Sequence, residues 1–248
     1  MSTALLITGA SRGIGAATAR LAAGRGYSVG VNYRHNRPAA EAVVGEILEA
    51  GGRAMALFAD VGAESDVMRM FETLDRELGT LTGLVNNAGI LEKQMRLDAM
   101  AADRLHRVFT TNVVGAFLCA REAVKRMSSR YGGAGGAIVN VSSAAARLGA
   151  PDEYIDYAAS KGALDTMTIG LSKEVAGEGI RVNGVRPGLI HTDIHASGGD
   201  PGRVERLQTL VPVKRGGRAE EVAQAILWLL SDEASYTTGS FIEVSGGR

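Results

Sequence analysis

A single cysteine, Cys119, stands among 248 residues, so no disulfide can form within the chain, which fits a reducing compartment. It sits in the apolar run VVGAFLCA, where a small buried hydrophobe is the expected role rather than a nucleophile. An excess of one charge is also missing. Lysine plus arginine number 27, as do aspartate plus glutamate, which leaves no electrostatic case for binding nucleic acid or an anionic membrane. No stretch reaches the ~18 uninterrupted apolar residues of a membrane span. The opening MSTALLITGASRG lacks the charged leader and long apolar core of a secretion signal. With 46% hydrophobic and 22% charged residues, disorder is not indicated. A soluble, cytoplasmic protein with one domain over residues 1–248 is expected.

Short apolar runs alternate with longer helical patterns. Leu5 to Thr8, Ser28 to Tyr33, Ala54 to Ala59, Leu84 to Asn86, Ala137 to Ser142, Arg181 to Val185 and Phe241 to Val244 read as strands. Between them, Ile14 to Arg25, Ala39 to Ala50, Asp66 to Leu78, Ala101 to Met127, Tyr157 to Ala176 and Glu220 to Leu230 carry 3.6-residue periodicity. Strand then helix, repeated, predicts an α/β fold: one doubly wound Rossmann sheet of about seven parallel strands, helices on both faces. Ligands then bind beyond the carboxyl ends of the strands. The irregular stretch 189–212, with ASGGDPGR inside it, reads as a substrate lid rather than a linker.

The first strand runs into TGASRGIG, Thr8 to Gly15, and then a helix. Glycines at 9, 13 and 15 permit a tight turn and close approach to a pyrophosphate, which the helix N-terminus would hold. A nucleoside-triphosphate loop is excluded because no lysine followed by Ser or Thr comes after these glycines. The turn's cofactor-binding set is then Gly9, Ser11, Arg12, Gly13, Ile14 and Gly15.

The G-x-x-x-G-x-G spacing resembles that of the short-chain dehydrogenase/reductase family in its ~250-residue form. Asp60-Val61, Asn86-Asn87-Ala88-Gly89, Asn112, Ser142-Ser143, Tyr157-x-x-x-Lys161 and Pro187-Gly188 follow in that family's order across the whole chain. In motif style the sequence is similar to 3-oxoacyl-carrier-protein reductases and glucose 1-dehydrogenase-like members, EYIDYAASKGA most resembling the latter. The resemblance implies hydride transfer between a nicotinamide and a small-molecule carbonyl or alcohol, in a homotetramer paired through the two long helices and the last strand. Both helices carry apolar residues suited to this, such as Val113, Phe117, Leu118, Leu164, Met167 and Leu171.

Tyr157 and Lys161, four apart, share a helix face. A tyrosine working near neutrality must lose about three units of pKa, roughly 4 kcal/mol. One ammonium about 4 Å away is worth about as much at an effective dielectric near 20. The family implies Tyr157 as general acid/base, Lys161 as its electrostatic partner and ribose holder, Ser143 as hydrogen-bond donor to the reacting oxygen, and Asn112 as the holder of a relay water. Tyr154 has no lysine four residues on and is expected at the cleft mouth. The loop from Ser143 to Tyr157 carries one residue more than the common family spacing.

Further cofactor contacts implied are Asp60 and Val61 at the adenine, Asn87, Ala88 and Gly89 after the fourth strand, and Pro187, Gly188, Ile190 and Thr192 over the nicotinamide. No Asp or Glu precedes Glu41, and the second strand ends in Tyr33 and Arg34, where an acid would select NAD(H). Arg34 and Arg12 therefore predict NADP(H), bound through its 2′-phosphate. His191 and His195 have a zinc pair's spacing without the further ligand, so no metal is expected. A sugar epimerase or dehydratase would need more than the roughly 60 residues after Pro187. A non-catalytic NADP-binding sensor or scaffold would not need Asn112, Ser143, Tyr157 and Lys161 together.

Overall fold

The computed structural model describes residues 3–248. Seven strands, β1 (Ala4–Ile7), β2 (Ser28–Tyr33), β3 (Arg53–Phe58), β4 (Leu81–Asn86), β5 (Gly136–Val141), β6 (Ile180–Pro187) and β7 (Phe241–Val244), form one sheet ordered β3-β2-β1-β4-β5-β6-β7. Every neighbouring pair is parallel. Among the described residues ten α-helices accompany it: α1 (Gly13–Gly24), α2 (Arg37–Glu49), α3 (Glu64–Leu78), α4 (Ala102–Phe109), α5 (Gly115–Met127), α6 (Ala145–Leu148), α7 (Ile155–Val175), α8 (Ile194–Ser197), α9 (Arg203–Leu207) and α10 (Ala219–Leu230). The expected doubly wound Rossmann architecture is the observed one.

The two-residue period of a strand divides the core into two layers. Leu5, Ile7, Val29, Val31, Val85 and Val139 pack with α1, α2 and α10. Ala4, Leu6, Leu84, Ile138 and Val182 pack with α3, α5 and α7 on the opposite face. Strands covered on both faces read as unbroken apolar runs, which is why β1 is simply ALLI. A polar thread crosses the second layer. Asn86 Nδ2 donates to Asn140 Oδ1 at 2.9 Å, and Asn140 Nδ2 donates to Thr168 Oγ1 at 2.8 Å, which sets α7 against β4 and β5. Strand order runs outward from β1 one way and from β4 the other, so a crevice opens between their carboxyl ends.

Some elements differ from the periodicity. β3 and β5 each lie one residue earlier than predicted, and β4 begins at Leu81. The long helix expected over Ala101 to Met127 is interrupted: a π-helical turn, Thr110–Val114, separates α4 from α5. Threonines and valines at four of its five positions crowd a regular helix. Gly115 beyond it packs on Val61, whose Cγ2 lies 2.7 Å from where a Cβ would stand. Of the apolar residues predicted for pairing, Leu164 and Met167 are buried in this chain's own core, and Val113, Leu118 and Leu171 pack against it. The large apolar side chains exposed on these segments are Phe109, Val114, Phe117 and Ile169.

Residues 189–212 leave β6 as α8, α9 and a 3-10 turn at Gln208–Leu210. They return to the glycine turn, where Arg12 Nη2 donates to Ser197 Oγ at 3.3 Å.

Candidate active site

At the end of β1 the chain turns at Gly9, φ 61°, and again at Gly13, φ 54°. These left-handed values suit glycine alone among ordinary residues. A Cβ on Gly9 would lie 2.9 Å from Ala88 Cα, and one on Gly15 would lie 2.6 Å from Asn87 Nδ2 and 2.7 Å from the Gly9 carbonyl. Polar side chains hold the turn. Thr8 Oγ1 accepts from the amides of Asn87 and Ala88, both at 2.9 Å, and Asn87 Nδ2 donates to the carbonyls of Thr8 and Gly9 at 2.8 and 3.0 Å. Buried Asn32 accepts from the Gly9 amide at 3.0 Å and donates to the carbonyls of Leu57 and Ala59 at 3.2 Å each. The sequence reading missed Asn32; its signal was one amide inside the buried strand SVGVNY.

The crevice is a cleft of about 450 Å³. Its wall includes Gly9, Ser11, Arg12, Gly13 and Ile14 from the turn; Tyr33 and Arg34; Asp60 and Val61; Asn87, Ala88 and Gly89; Ser143, Tyr157 and Lys161; and Pro187, Gly188, Ile190 and Thr192. Gly15 and Asn112 lie behind that wall: Gly15 is a packing glycine against Asn87 and Gly9. A bare-backbone turn opening α1, whose first turn holds no acid, fits the diphosphate of a dinucleotide.

Ser142 and Ser143 follow β5, and Tyr157 and Lys161 occupy the first turns of α7. The two serines are not equivalent. Ser142 is buried and donates to the Lys161 carbonyl at 3.3 Å, whereas Ser143 Oγ accepts from the Ala145 amide at 3.1 Å and lies close enough to the Tyr157 hydroxyl to lower its pKa. Lys161 Nζ donates to the Val141 carbonyl at 2.7 Å and stands 5.6 Å from the centre of the Tyr157 ring. Burial is the largest influence on both ionisable groups. It pushes the Tyr157 hydroxyl up to about 12, against a lowering by Ser143. The same burial pushes Lys161 down to about 8, opposed by Asp165. Tyr157 is therefore a protonated phenol at neutral pH, ready to donate.

Asn112 sits in the π turn with both its side-chain N–H groups engaged and one acceptor position of Oδ1 used. Its Oδ1 accepts from the Ile90 amide at 2.8 Å, and its Nδ2 donates to the Ile90 carbonyl at 3.1 Å and to Ser160 Oγ at 3.0 Å. Beside it Gly89 leaves a gap: the position of a missing Cβ is 3.5 Å from both Asn112 Oδ1 and Lys161 Nζ.

At the adenosine end, Arg34 Nη2 pairs with Asp60 Oδ2 at 3.0 Å, so two residues assigned separately to the cofactor meet each other. At the opposite end, Tyr154 is buried beneath Arg203, whose guanidinium is 5.2 Å from the ring centre. Arg203 in turn donates to both Glu153 oxygens, at 2.9 and 2.5 Å. The Ser143–Tyr157 loop accommodates its length through α6 and two left-handed residues, Ala150 (φ 46°) and Asp152 (φ 59°). His195 Nε2 lies 3.0 Å from the Ile190 carbonyl and His191 Nδ1 3.6 Å from Glu205, so each histidine has its own contact.

A family model described as enoyl-(acyl carrier protein) reductase matches residues 9–248. The chain is 60% identical over 243 residues to the uncharacterized oxidoreductase YgfF of Escherichia coli (strain K12), covering 98% of both chains. It is 37% identical over 247 residues to the 3-oxoacyl-(acyl-carrier-protein) reductase FabG of Staphylococcus aureus, covering 100% of this chain and 98% of that one. It is 39% identical over 247 residues to carbonyl reductase family member 4 of Danio rerio, again covering 100% and 98%.

The buried lysine makes stability depend on pH with a definite sign. Below about pH 8 Lys161 is charged folded and unfolded, and the fold bears its desolvation; above 10.5 it is neutral in both states. Between these values the unfolded chain binds more protons, so stability rises with pH. We expect the parent to gain about 3 kcal/mol relative to Lys161→Met across that window, read by urea unfolding at several pH values. A difference independent of pH would refute the burial argument.

Proposed function

Because the chain belongs to the short-chain dehydrogenase/reductase family and is an oxidoreductase acting between alcohol and carbonyl groups, we propose that it uses NADP(H) and that Tyr157 carries the proton. The observation that supports this most is the meeting of Ser143, Tyr157 and Lys161 in the wall of the glycine-turn cleft. The dinucleotide, held by residues 9–15, 87–89 and 187–192, supplies or accepts the hydride when bound. In reduction Tyr157 Oη gives its proton to the substrate oxygen, which Ser143 Oγ steadies by hydrogen bonding. Lys161 favours the tyrosinate that remains and holds the ribose nearest the nicotinamide. Asn112 Oδ1, close to Lys161 beside Gly89, would hold a water that links Lys161 to solvent, from which the proton lost by Tyr157 is replaced. Residues 189–212 act as the lid over a small carbonyl or alcohol substrate. A non-catalytic sensor or scaffold on this fold is disfavoured because it would retain a buried lysine without using it.

The same reading makes the protein a cytoplasmic homotetramer. Cys119 suits that compartment as an inert buried thiol, pushed by desolvation up to about 12. Exposed Phe117, Phe109, Val114 and Ile169 supply an apolar face on the long helices. We expect light scattering at micromolar concentration to give four times the chain mass; a monomer would exclude the assembly.

Screening reduced cofactor oxidation against ketones, aldehydes, sugars and acyl thioesters identifies the substrate. On it, Tyr157→Phe is expected to abolish turnover with little change in cofactor affinity. Ser143→Ala should cost about 100-fold or more, and Ser142→Ala far less. Turnover by Tyr157→Phe within tenfold of the parent would refute the proton-donor role.

NADP(H) preference rests on Tyr33 standing where an acid would accept from the ribose, with Arg12 and Arg34 lining the same end of the cleft. Asp60 holds Arg34 there in the free protein. Two charged contacts of about 1.5–3 kcal/mol each amount to a few hundredfold or more. Isothermal titration should find NADPH bound tighter than NADH by about that factor, with Arg12→Ala and Arg34→Ala each narrowing the gap. Tighter NADH binding would overturn the assignment.

A further inference from the structure

Arg104 and Asp156 form an ion pair with side chains only 5% and 1% exposed. The contact is a fork: Nε donates to Oδ2 at 2.7 Å and Nη2 to Oδ1 at 3.1 Å. The remaining Nη1 donates to the Lys93 carbonyl at 2.5 Å. One guanidinium therefore joins α4, the segment after β4 that also lines the cleft, and the first turn of α7. Asp156 directly precedes Tyr157.

A buried ion pair contributes little to stability over an apolar pair of equal volume, and its usefulness lies in geometry. The planar fork dictates both distance and orientation, which apolar packing does not. Asp156 also lies in the first turn of α7, where the helix dipole favours a negative charge. As a pair the two charges cancel towards Tyr157; either one alone would bias its proton.

Building on the proposed role of Tyr157, we infer that Arg104 and Asp156 are its positioning residues. They lock the first turn of α7 so that the hydroxyl faces Ser143, and they keep the local field neutral. The other charged groups on the elements meeting there include Lys161 and Asp165 on α7 (with Lys173 and Glu174 at its far end), Glu153 just before it, Arg203 from α9, Glu92 and Lys93 after β4, and Asp103, His106 and Arg107 on α4. Glu153 pairs with Arg203, Glu92 with Arg107, and Asp165 with Arg186. Lys161 is common to every variant below, so differences among them report the Arg104–Asp156 pair.

The test compares the parent with Arg104→Gln, Asp156→Asn, the double variant and Arg104→Lys. Each is saturated with NADP⁺ and labelled with carbon-13 at the tyrosine ζ position. The Tyr157 resonance is identified by its loss in Tyr157→Phe and titrated from about pH 6 to 10.5, the range into which the positive charge of bound NADP⁺, added to that of Lys161, brings a midpoint that burial alone holds near 12. Arg104→Gln leaves a lone carboxylate and should raise the Tyr157 midpoint by about one pH unit; Asp156→Asn leaves a lone guanidinium and should lower it by about as much. The double variant should return to the parent value. Arg104→Lys, which keeps the charge and loses the fork, should hold the midpoint while kcat for NADPH-dependent reduction of the screened substrate falls at least tenfold with KM for NADPH unchanged.

A merely structural pair would lower the melting temperature in every single variant without moving the midpoint in opposite directions. Coincident midpoints, including absence of titration in all proteins, overturn the inference. If Arg104→Gln does not fold, Asp156→Asn and the double variant carry the same comparison. Normal turnover by Tyr157→Phe would defeat the reading beneath it, whereas an inactive Tyr157→Phe with coincident midpoints defeats only the positioning role.

Discussion

Gly9 leaves β1 in a left-handed turn with no space for a side chain, since a Cβ there would come within 2.9 Å of Ala88 Cα. That close approach brings β1 and the segment after β4 together at the crevice. Thr8, Asn32 and Asn87 supply hydrogen bonds to backbone groups that the turn withdraws from the sheet. Buried main-chain polar groups left unpaired would cost as much as lost hydrogen bonds, so the glycine turn and its polar supports form one unit. The start of α1, the Asn87–Gly89 wall and the position of Thr192 against Gly13 all follow from it.

The reactive groups are placed at the expense of their own charged forms. Lys161 is buried with a carbonyl for company, and the partly buried Tyr157 stands beside Ser143. Desolvation therefore moves both towards neutrality, the lysine down and the tyrosine up. A fold selected for stability alone would fill those positions with apolar side chains; ionisable groups held out of water at a cleft are what proton transfer uses. The polar thread from Asn86 through Asn140 to Thr168 then holds α7 in place from behind.

Most of the architecture was legible in the chain. Apolar runs such as ALLI and AIVNV announce strands covered on both faces, and the glycines of TGASRGIG mark the turn before α1. The π turn at Thr110–Val114 was not legible, because helical periodicity survives one inserted residue almost unchanged. Nor was the fate of Leu164 and Met167, since an apolar residue facing the core and one facing a partner look alike in sequence. Asn32 was overlooked because its partners, Gly9, Leu57 and Ala59, lie on three separate segments.

By itself the sequence determined the strand–helix alternation, the glycine turn, the i, i+4 relation of Tyr157 to Lys161, and the family that these resemble. Each depends on residues close along the chain, where backbone sterics and side-chain period act directly. Tertiary structure alone decided that Arg34 pairs with Asp60 and that Arg104 reaches across from α4 to Asp156. It also decided that burial weighs on the proton affinities of both Tyr157 and Lys161. Distances between segments remote in sequence, and the exclusion of water from them, come into being only when the sheet and its two helical layers close together.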